Sequence, residues 1–497
     1  MKLLRPFLLA GLVFLPVGWQ VFADPPAEKK PEPDGPVSYY RDIRPIFAQH
    51  CQGCHQPAKP QGGFIMTSYT DLLKQGERMQ AGVVPGQVEK SFLVDQITPT
   101  KEGKTAMPKG KDPLPAADIA RIKKWIAEGA KDDTPVNAQV VVDAAHPPVY
   151  ELPPVISSLA YSPDGSMLAV SGYHEIILHK ADGSEIIGRL VGLSERVQSL
   201  AFSPDGKWLA MAGGSPYRFG EIQIWDVEKK KLKQSISVTY DTLYGLSWSH
   251  DSTKIAVGCA DNTLRAFDAA TGEQILFQGA HNDWVLGTTF SKDSSYLVSI
   301  SRDRSVKLTE VATQRFIDNI TSITPGALKG GLMAVARNPQ KTDAKVKSTA
   351  AGTDMTEKWY DELAIGGADG VPRLYQMHRT KKRVIGDDFN KIREYPAMSG
   401  RIHVIAFQPD GAQFAAGSSL DGKGQVWVYE TATAKVLSKL ECEFSAIYTL
   451  AYSPDGKQIA SAGFDGMVRL SDPTNGKVTK EFVGVPLATA TSDAKHQ

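Results

Sequence analysis

Ser162-Pro163-Asp164-Gly165 returns as Ser203-Pro204-Asp205-Gly206 and again as Ser453-Pro454-Asp455-Gly456. Degenerate copies stand at Ser249-His250-Asp251, Ser291-Lys292-Asp293 and Gln408-Pro409-Asp410-Gly411, with a weaker one at Arg337-Asn338-Pro339. The second residues of these copies fall at 163, 204, 250, 292, 339, 409 and 454. Each copy joins two short alternating runs, such as 197–202 and 208–212, and Pro and Gly set the tight turn between them. A third run ends each repeat at an aligned position held by His179, Trp225, Phe267, Thr309, Tyr375, Tyr429 and Ser471. A period of ~40–45 residues with several short strands per repeat predicts a β-propeller, here one of seven blades over residues 151–487.

Trp225-Asp226 keeps the Trp-Asp pair that gives the WD-repeat family its name. The region resembles a seven-bladed WD-repeat propeller, which implies a surface for docking partner proteins. The array is irregular in two places. Residues 340–362 read as a polar insertion in the fifth repeat, expected as an exposed excursion. Ser215-Pro216-Tyr217-Arg218-Phe219-Gly220 reads as an extended hairpin with exposed aromatics, a candidate for partner contact. Either 477–483 or the stretch near 149–152 is expected to supply the strand that closes the ring. Asp261, Asp303, Asp369 and Asp465 recur at one repeat position. Recurrence in several blades is what a scaffold needs, so these acids and His281 are expected to be structural. The basic run 379–383 is expected as a solvated strand edge.

The first part of the chain follows other rules. Cys51-Gln52-Gly53-Cys54-His55 is a C-x-x-C-H box, the attachment signature of c-type haem. Its two thiols can form thioethers with the two vinyl groups of one porphyrin, and the following histidine can ligate the iron. A zinc site would want a second Cys/His pair nearby, and the next cysteine is Cys259. A thioredoxin-like dithiol would want a βαβ context, and the flanks read as helix and loop. One helix is expected over 39–50, running into the box. A second is expected over 115–128, where Ile119, Ile122 and Ile126 line one face and Gly129 supplies the stop.

For the sixth iron ligand the candidates are Met66, Met79, Met107 and His50. Met107 precedes Pro108 in a loop ahead of the last helix, where the thioether can project from a stiffened backbone. His50 directly precedes the box, and Met66 and Met79 suit core or surface positions better. Residues 40–130 resemble the planctomycete-type cytochrome c domain. The matching pieces are Ile43-Arg44-Pro45-Ile46-Phe47, the box, Gly62-Gly63-Phe64, Val84-Pro85-Gly86, Met107-Pro108 and Trp125-Ile126-Ala127-Glu128-Gly129-Ala130. The resemblance implies one covalent haem c held through Cys51 and Cys54, with His55 and Met107 as axial ligands of the iron. Pro115 stands where the family often has a Ser-type helix cap.

At the N-terminus Lys2 and Arg5 precede an apolar run over 7–19, and Val21-Phe22-Ala23 offers a cleavage point before Asp24. The run is shorter than the ~20 residues a spanning helix needs, so no stable membrane span is expected. Export to the periplasm is expected, which agrees with thioether attachment outside the cytoplasm.

The expected organisation is thus multidomain: signal peptide 1–23, Pro-rich spacer 24–36, a small all-α cytochrome c-like domain over 37–131, linker 132–150, an all-β propeller over 151–487, and a tail over 488–497. With 42% hydrophobic and 22% charged residues and a net charge of +1, nothing points to nucleic acid as a partner. Cys259 and Cys442 are expected as free thiols. His/Met ligation leaves no open iron position, so the sequence points to a periplasmic carrier of single electrons that docks redox partner proteins through its propeller. The alternatives are a haem-containing interaction or sensing scaffold and a redox enzyme with a second cofactor in the propeller.

Overall fold

The computed structural model describes residues 35–56, 59–135, 142–279, 281–322, 328–339, 345–347, 357–384, 386–442 and 445–488. The expectations for a signal peptide at 1–23 and for the tail beyond 488 lie outside these residues.

The N-terminal part begins with Ser38, whose hydroxyl accepts from the Arg41 amide and starts a π-helical turn, Tyr39–Ile43. Helix α1, Arg44–His50, follows directly, with Pro45 in its first turn, where a missing N–H costs nothing. The box comes next. After it, α2 (Tyr69–Leu72), α3 (Phe92–Ile97) and α4 (Ala116–Ala127) are joined by loops and two 3₁₀ turns. Pro115 caps α4 with extended backbone rather than opening it as the first helical residue. Ile119, Ile122, Trp125 and Ile126 of α4 pack with Ile43, Ile46 and Phe47 into one core. Tyr39 stacks on Trp125 with ring centroids 5.3 Å apart.

The expectation of an all-α domain needs correction. The box ends in extended backbone: His55–Gln56 pairs antiparallel with Lys59–Pro60, and Gln75 bridges Ala81. Pro60 and the glycine pair at 62–63 allow only a 3₁₀ turn, Gln61–Gly63, there. Both glycines adopt positive φ, and Gly62 accepts the Glu77 amide at 2.8 Å.

Beyond residue 150 the chain is β. A seven-stranded antiparallel sheet opens the series: Leu159–Tyr161, Met167–Ser171, Tyr173–Lys180, Ile186–Phe202, Trp208–Ser215, Phe219–Asp226 and Lys231–Thr239. Strand Ile186–Phe202 serves two groups of strands, pairing first with Tyr173–Lys180 and then with Trp208–Ser215. Sheets of four strands follow over 243–278, 285–319, 332–394, 401–442 and 447–483. The first strands of neighbouring sheets pack on one another, and Leu159–Tyr161 contacts Ile447–Tyr452. The arrangement is propeller-like.

Local chemistry repeats with the sheets. Each Ser-x-Asp turn is held the same way: the serine hydroxyl accepts the amide five residues on, as Met167 to Ser162 at 2.9 Å, Trp208 to Ser203 at 3.0 Å and Lys254 to Ser249 at 2.8 Å. The aligned third-strand residues also share a backbone feature. At His179, Trp225, Phe267, Thr309, Tyr375, Tyr429 and Ser471 the pairing to the fourth strand slips by one residue. All seven side chains are buried. A bulge bends the strand and strengthens its twist, so this position sets the pitch of every blade.

The closing strand is Val478–Val483, which pairs with Met467–Ser471. No strand is shared across the seam. The first and last sheets are joined by the Leu159 amide donating to Thr449 Oγ1 at 3.1 Å, Tyr161 Oη to Gln458 Oε1 at 3.0 Å, and the Ile156 amide to the Gly463 carbonyl at 2.9 Å. Tyr150 adds a strap. It bridges Leu487 in parallel, and its hydroxyl donates to the buried Glu175 carboxylate at 2.8 Å. Arg189 holds the same carboxylate through two nitrogens.

The insertion is folded in part: Lys345–Lys347 pairs with Glu357–Trp359. It is no free excursion, because Lys292 of the fourth repeat's turn sits 4.6 Å above the Trp359 ring. Asp361 anchors its base through Arg337 at 3.2 Å. Cys259 is a free, buried thiol, and the side chain of Cys442 lies outside the described residues.

Candidate functional site

The box leaves α1 as a tight turn. The amides of Cys51 and Gln52 both donate to the Phe47 carbonyl at 2.9 Å, and the amides of Cys54 and His55 return to the Cys51 carbonyl at 3.1 Å. This brings Cys51, Cys54 and His55 together. Gln52 is buried and fastens the turn from beneath, its Nε2 donating to the Met66 carbonyl at 2.8 Å. The Cys51 thiol lies against the domain core, and burial pushes its pKa up to about 12, with Cys54 adding to the effect.

His55 is oriented by its neighbours. Its Nδ1 is 3.2 Å from the Phe64 carbonyl oxygen, and its ring meets the Phe64 ring edge to face. A carbonyl can only accept, so Nδ1 carries the proton in this bond. Burial holds the His55 pKa below its ordinary value, which also favours the neutral, ligating form.

Met107 packs on the same core cluster as Cys51, and its amide donates to the Gln96 carbonyl at the end of α3 at 2.9 Å. Met66 is buried in that core, whereas Met79 is 75% exposed. His50 is half-buried, and burial lowers its pKa. Two buried polar atoms without a hydrogen-bond partner flank the expected ligands: Gln56 Oε1 beside His55 and Thr105 Oγ1 beside Met107. Two thiols on one turn, an imidazole oriented by the Phe64 carbonyl and a thioether on the same core are a donor set that fits a covalently held haem.

The box also touches the propeller-like part. Gly53 lies against Lys231–Thr239, so close that a Cβ there would stand 3.3 Å from the Ser235 carbonyl oxygen. Sequence reasoning missed this contact, and no local signal reveals which distant strand a turn will meet.

Among the strands the recurring acids serve the blades. His281 is buried between Asp303 Oδ2 at 3.0 Å and Ser299 Oγ at 2.8 Å; against the effect of its burial, the His281 bond, the Asn282 amide and the Ser305 hydroxyl hold the Asp303 carboxyl far below the usual range. Asp261, Asp369 and Asp465 each pair with an arginine four residues on, at 2.6, 2.8 and 2.6 Å. His179 binds the Gly484 carbonyl at 2.9 Å. No group of three or more potential metal ligands occurs among the described residues.

The run 379–383 is solvated only in its middle, where Lys381 and Lys382 are exposed. Arg379 is 1% exposed, bonded to both oxygens of Asp387 at 2.9 and 3.0 Å and beside Asp318 at 3.3 Å, while Arg383 reaches Asp318 at 2.8 Å. A buried guanidinium needs such carboxylates, and Asp318 lies too far away in sequence to betray itself.

Comparison with known proteins divides the chain in the same way. The family described as Planctomycete cytochrome C matches residues 51–110. The WD domain, G-beta repeat, matches 230–268, 272–309 and 434–472, and the Anaphase-promoting complex subunit 4 WD40 domain matches 159–244. Periodic tryptophan protein 2 of Saccharomyces cerevisiae is 27% identical over 48% of this chain and 25% of its own length. Serine-threonine kinase receptor-associated protein of Gallus gallus is 25% identical over 47% of this chain and 68% of its own. The chain therefore spans only a quarter of the yeast relative.

These matches correct the expectation of a periplasmic electron carrier with redox partners. The curated relatives are WD-repeat proteins, and their similarity speaks for an interaction scaffold and lends no support to electron transfer. What the comparisons establish is a chain in which a planctomycete cytochrome C region, residues 51–110, precedes WD repeats in a mostly β, propeller-like fold.

Proposed function

We propose that this protein is a protein–protein interaction scaffold: a seven-bladed WD-repeat propeller whose N-terminal domain carries one covalently bound haem c. The scaffold reading is supported by the WD-repeat matches and by side chains the fold leaves in solvent at the blade ends, Tyr217 foremost at 92% exposure. The haem reading is carried by one observation, the His55 ring directly after the two thiols, held through Nδ1 on the Phe64 carbonyl. In this reading Cys51 and Cys54 attach the porphyrin, and His55 and Met107 hold the iron. The bound group would supply a six-coordinate iron. The chain's own residues orient it: Phe64 fixes the imidazole, Gln52 fastens the attachment turn, and α1 and α4 supply an apolar wall that excludes water. Export belongs to the same proposal, because thioether attachment takes place outside the cytoplasm.

Intact mass and absorption spectra on the full chain, exported in a host with c-type haem maturation, test the haem part. The expected result is a chain beginning at Asp24 that gains the mass of one haem and keeps it on denaturation. Cys51→Ser with Cys54→Ser should lose it, and Met107→Ala should change the spectrum while retaining the mass. A denatured chain without added mass sinks the haem reading and leaves the scaffold reading standing. Chemical cross-linking of the tagged chain in its own cells tests the latter. Cross-links to partner proteins should map to the blade ends, and a chain free of partners overturns it.

A further inference from the structure

The antiparallel order of the strands decides which connections share an end of the propeller-like part. The Ser-x-Asp turns lie at one end. The turns between second and third strands lie at the other, together with the links from each fourth strand to the next sheet. At this second end the surface over the first four repeats is aromatic. Tyr240 is 66% exposed and Tyr173 49% exposed, and the Tyr217 amide donates to Asp241. Tyr244 stacks on Trp284 with centroids 5.7 Å apart and planes at 20°. Arg302 lies 4.5 Å above the Trp284 ring. The Tyr244 hydroxyl feels the charges of Asp241, Arg196 and Arg302, which places all three around it.

The charges on this arc are unequally spent. Glu195 is held by Arg218 at 2.8 Å and Asp283 by Arg302 at 3.2 Å, while Asp241 accepts the amides of Thr242 and Tyr217. Arg196 and Arg304 are exposed and make no ion pair among the described residues. The chain's own acids are thus occupied, and two guanidinium groups face solvent beside a preformed aromatic shelf. Arginine and aromatic side chains together are what binding hot spots are made of, and a free guanidinium matches a carboxylate in two-pronged geometry.

Resting on the scaffold reading and naming its partner's chemistry, we propose that this arc binds an acidic peptide segment of a partner protein. The carboxylates meet Arg196 and Arg304, and an apolar side chain lies on the Tyr244–Trp284 shelf. A polynucleotide also offers negative charge and stackable rings. The three acids threaded between the arginines oppose a continuous phosphate backbone, however, whereas separated carboxylates can step past them.

Fluorescence anisotropy with the full chain tests this. The probes are a fluorescein-labelled peptide of about ten residues, alternating glutamate with leucine and phenylalanine, its glutamine counterpart, and a single-stranded oligonucleotide. The glutamate peptide should bind at least tenfold tighter than the glutamine peptide and weaken with added salt. Arg196→Ser with Arg304→Ser, both at exposed positions, should lose at least tenfold while the melting temperature stays that of the parent. Trp284→Ala should weaken both peptides alike. Equal binding of the two peptides, tighter binding of the oligonucleotide, no binding of any probe, or binding unchanged in the arginine variant overturns the inference. None of these results touches the scaffold reading, which the cross-linking decides separately.

Discussion

His378 shows how much one buried side chain can couple the fold to pH. It packs edge to face on Tyr296, 4.9 Å between centroids, and burial lowers its pKa to about 4. Asp293 opposes this shift and Lys358 adds to it. In the unfolded chain the same imidazole titrates near ~6.5. Above that pH neither state holds the proton. Below it the unfolded chain takes up a proton that the fold refuses, so stability falls from about pH 6.5 down to about 4 and levels off below. Urea unfolding should therefore show a His378 share of the loss between pH 7 and pH 5 of about 2 kcal/mol. His378→Phe should remove that share. An unchanged slope in the variant would mean that the ring is hydrated in the fold. Residues of this kind are hard to read from sequence. His378, like Arg379 beside it, looks like a polar residue near a strand end until Tyr296 and Asp387 are placed around the pair. The box differs in that Cys51, Cys54 and His55 stand within five consecutive positions, so their grouping is visible without any distant partner.

At the level of elements the repeats were legible because each blade is built from local instructions. A Ser-x-Asp turn closes on itself within five residues, and the aligned third-strand position is large or polar because the backbone bulges there. What had no local instruction was missed. Ile186–Phe202 runs unbroken from the first repeat into the second, and the expected run at 197–202 is only its latter part. The insertion is pinned by Trp359, whose partner Lys292 belongs to a different blade. Gly463 illustrates how closely neighbouring strands approach. A Cβ there would lie 1.8 Å from the Ala446 carbonyl oxygen, too close for any rotamer to relieve. Gly463→Ala is expected to cost more than about 3 kcal/mol. In hydrogen exchange the loss of protection should centre on Ile447–Tyr452 and Ile459–Gly463. Uniform loss across all sheets would show instead that the blades unfold as a single unit.

For the whole molecule the contact that matters is between its unlike halves. The turn Cys51–His55 rests on Lys231–Thr239 through a residue with no side chain, and φ at Gly53 lies outside the positive region, so a larger residue meets no backbone penalty. Gly53→Ile should push the two parts away from one another. Small-angle scattering should then show a larger radius of gyration while each part keeps its own unfolding transition. An unchanged radius would mean that the contact is not what holds the halves together. An outer strand presents unpaired backbone groups to whatever comes near, and here the turn Cys51–His55 lies against that edge.

The seventeen-residue strand Ile186–Phe202 has one further meaning, for anyone who wishes to rebuild this protein. Most junctions between its sheets are loops, and loops tolerate grafted epitopes, reporter domains or new chain ends. Around residues 191–196 one strand runs on from one blade to the next, bulging between Val191, which faces Glu175, and Arg196, which faces both Tyr173 and Gly214. A cargo spliced in there would have to tear two sheets at once. The first two blades are in this respect a single part, to be moved, duplicated or swapped only together.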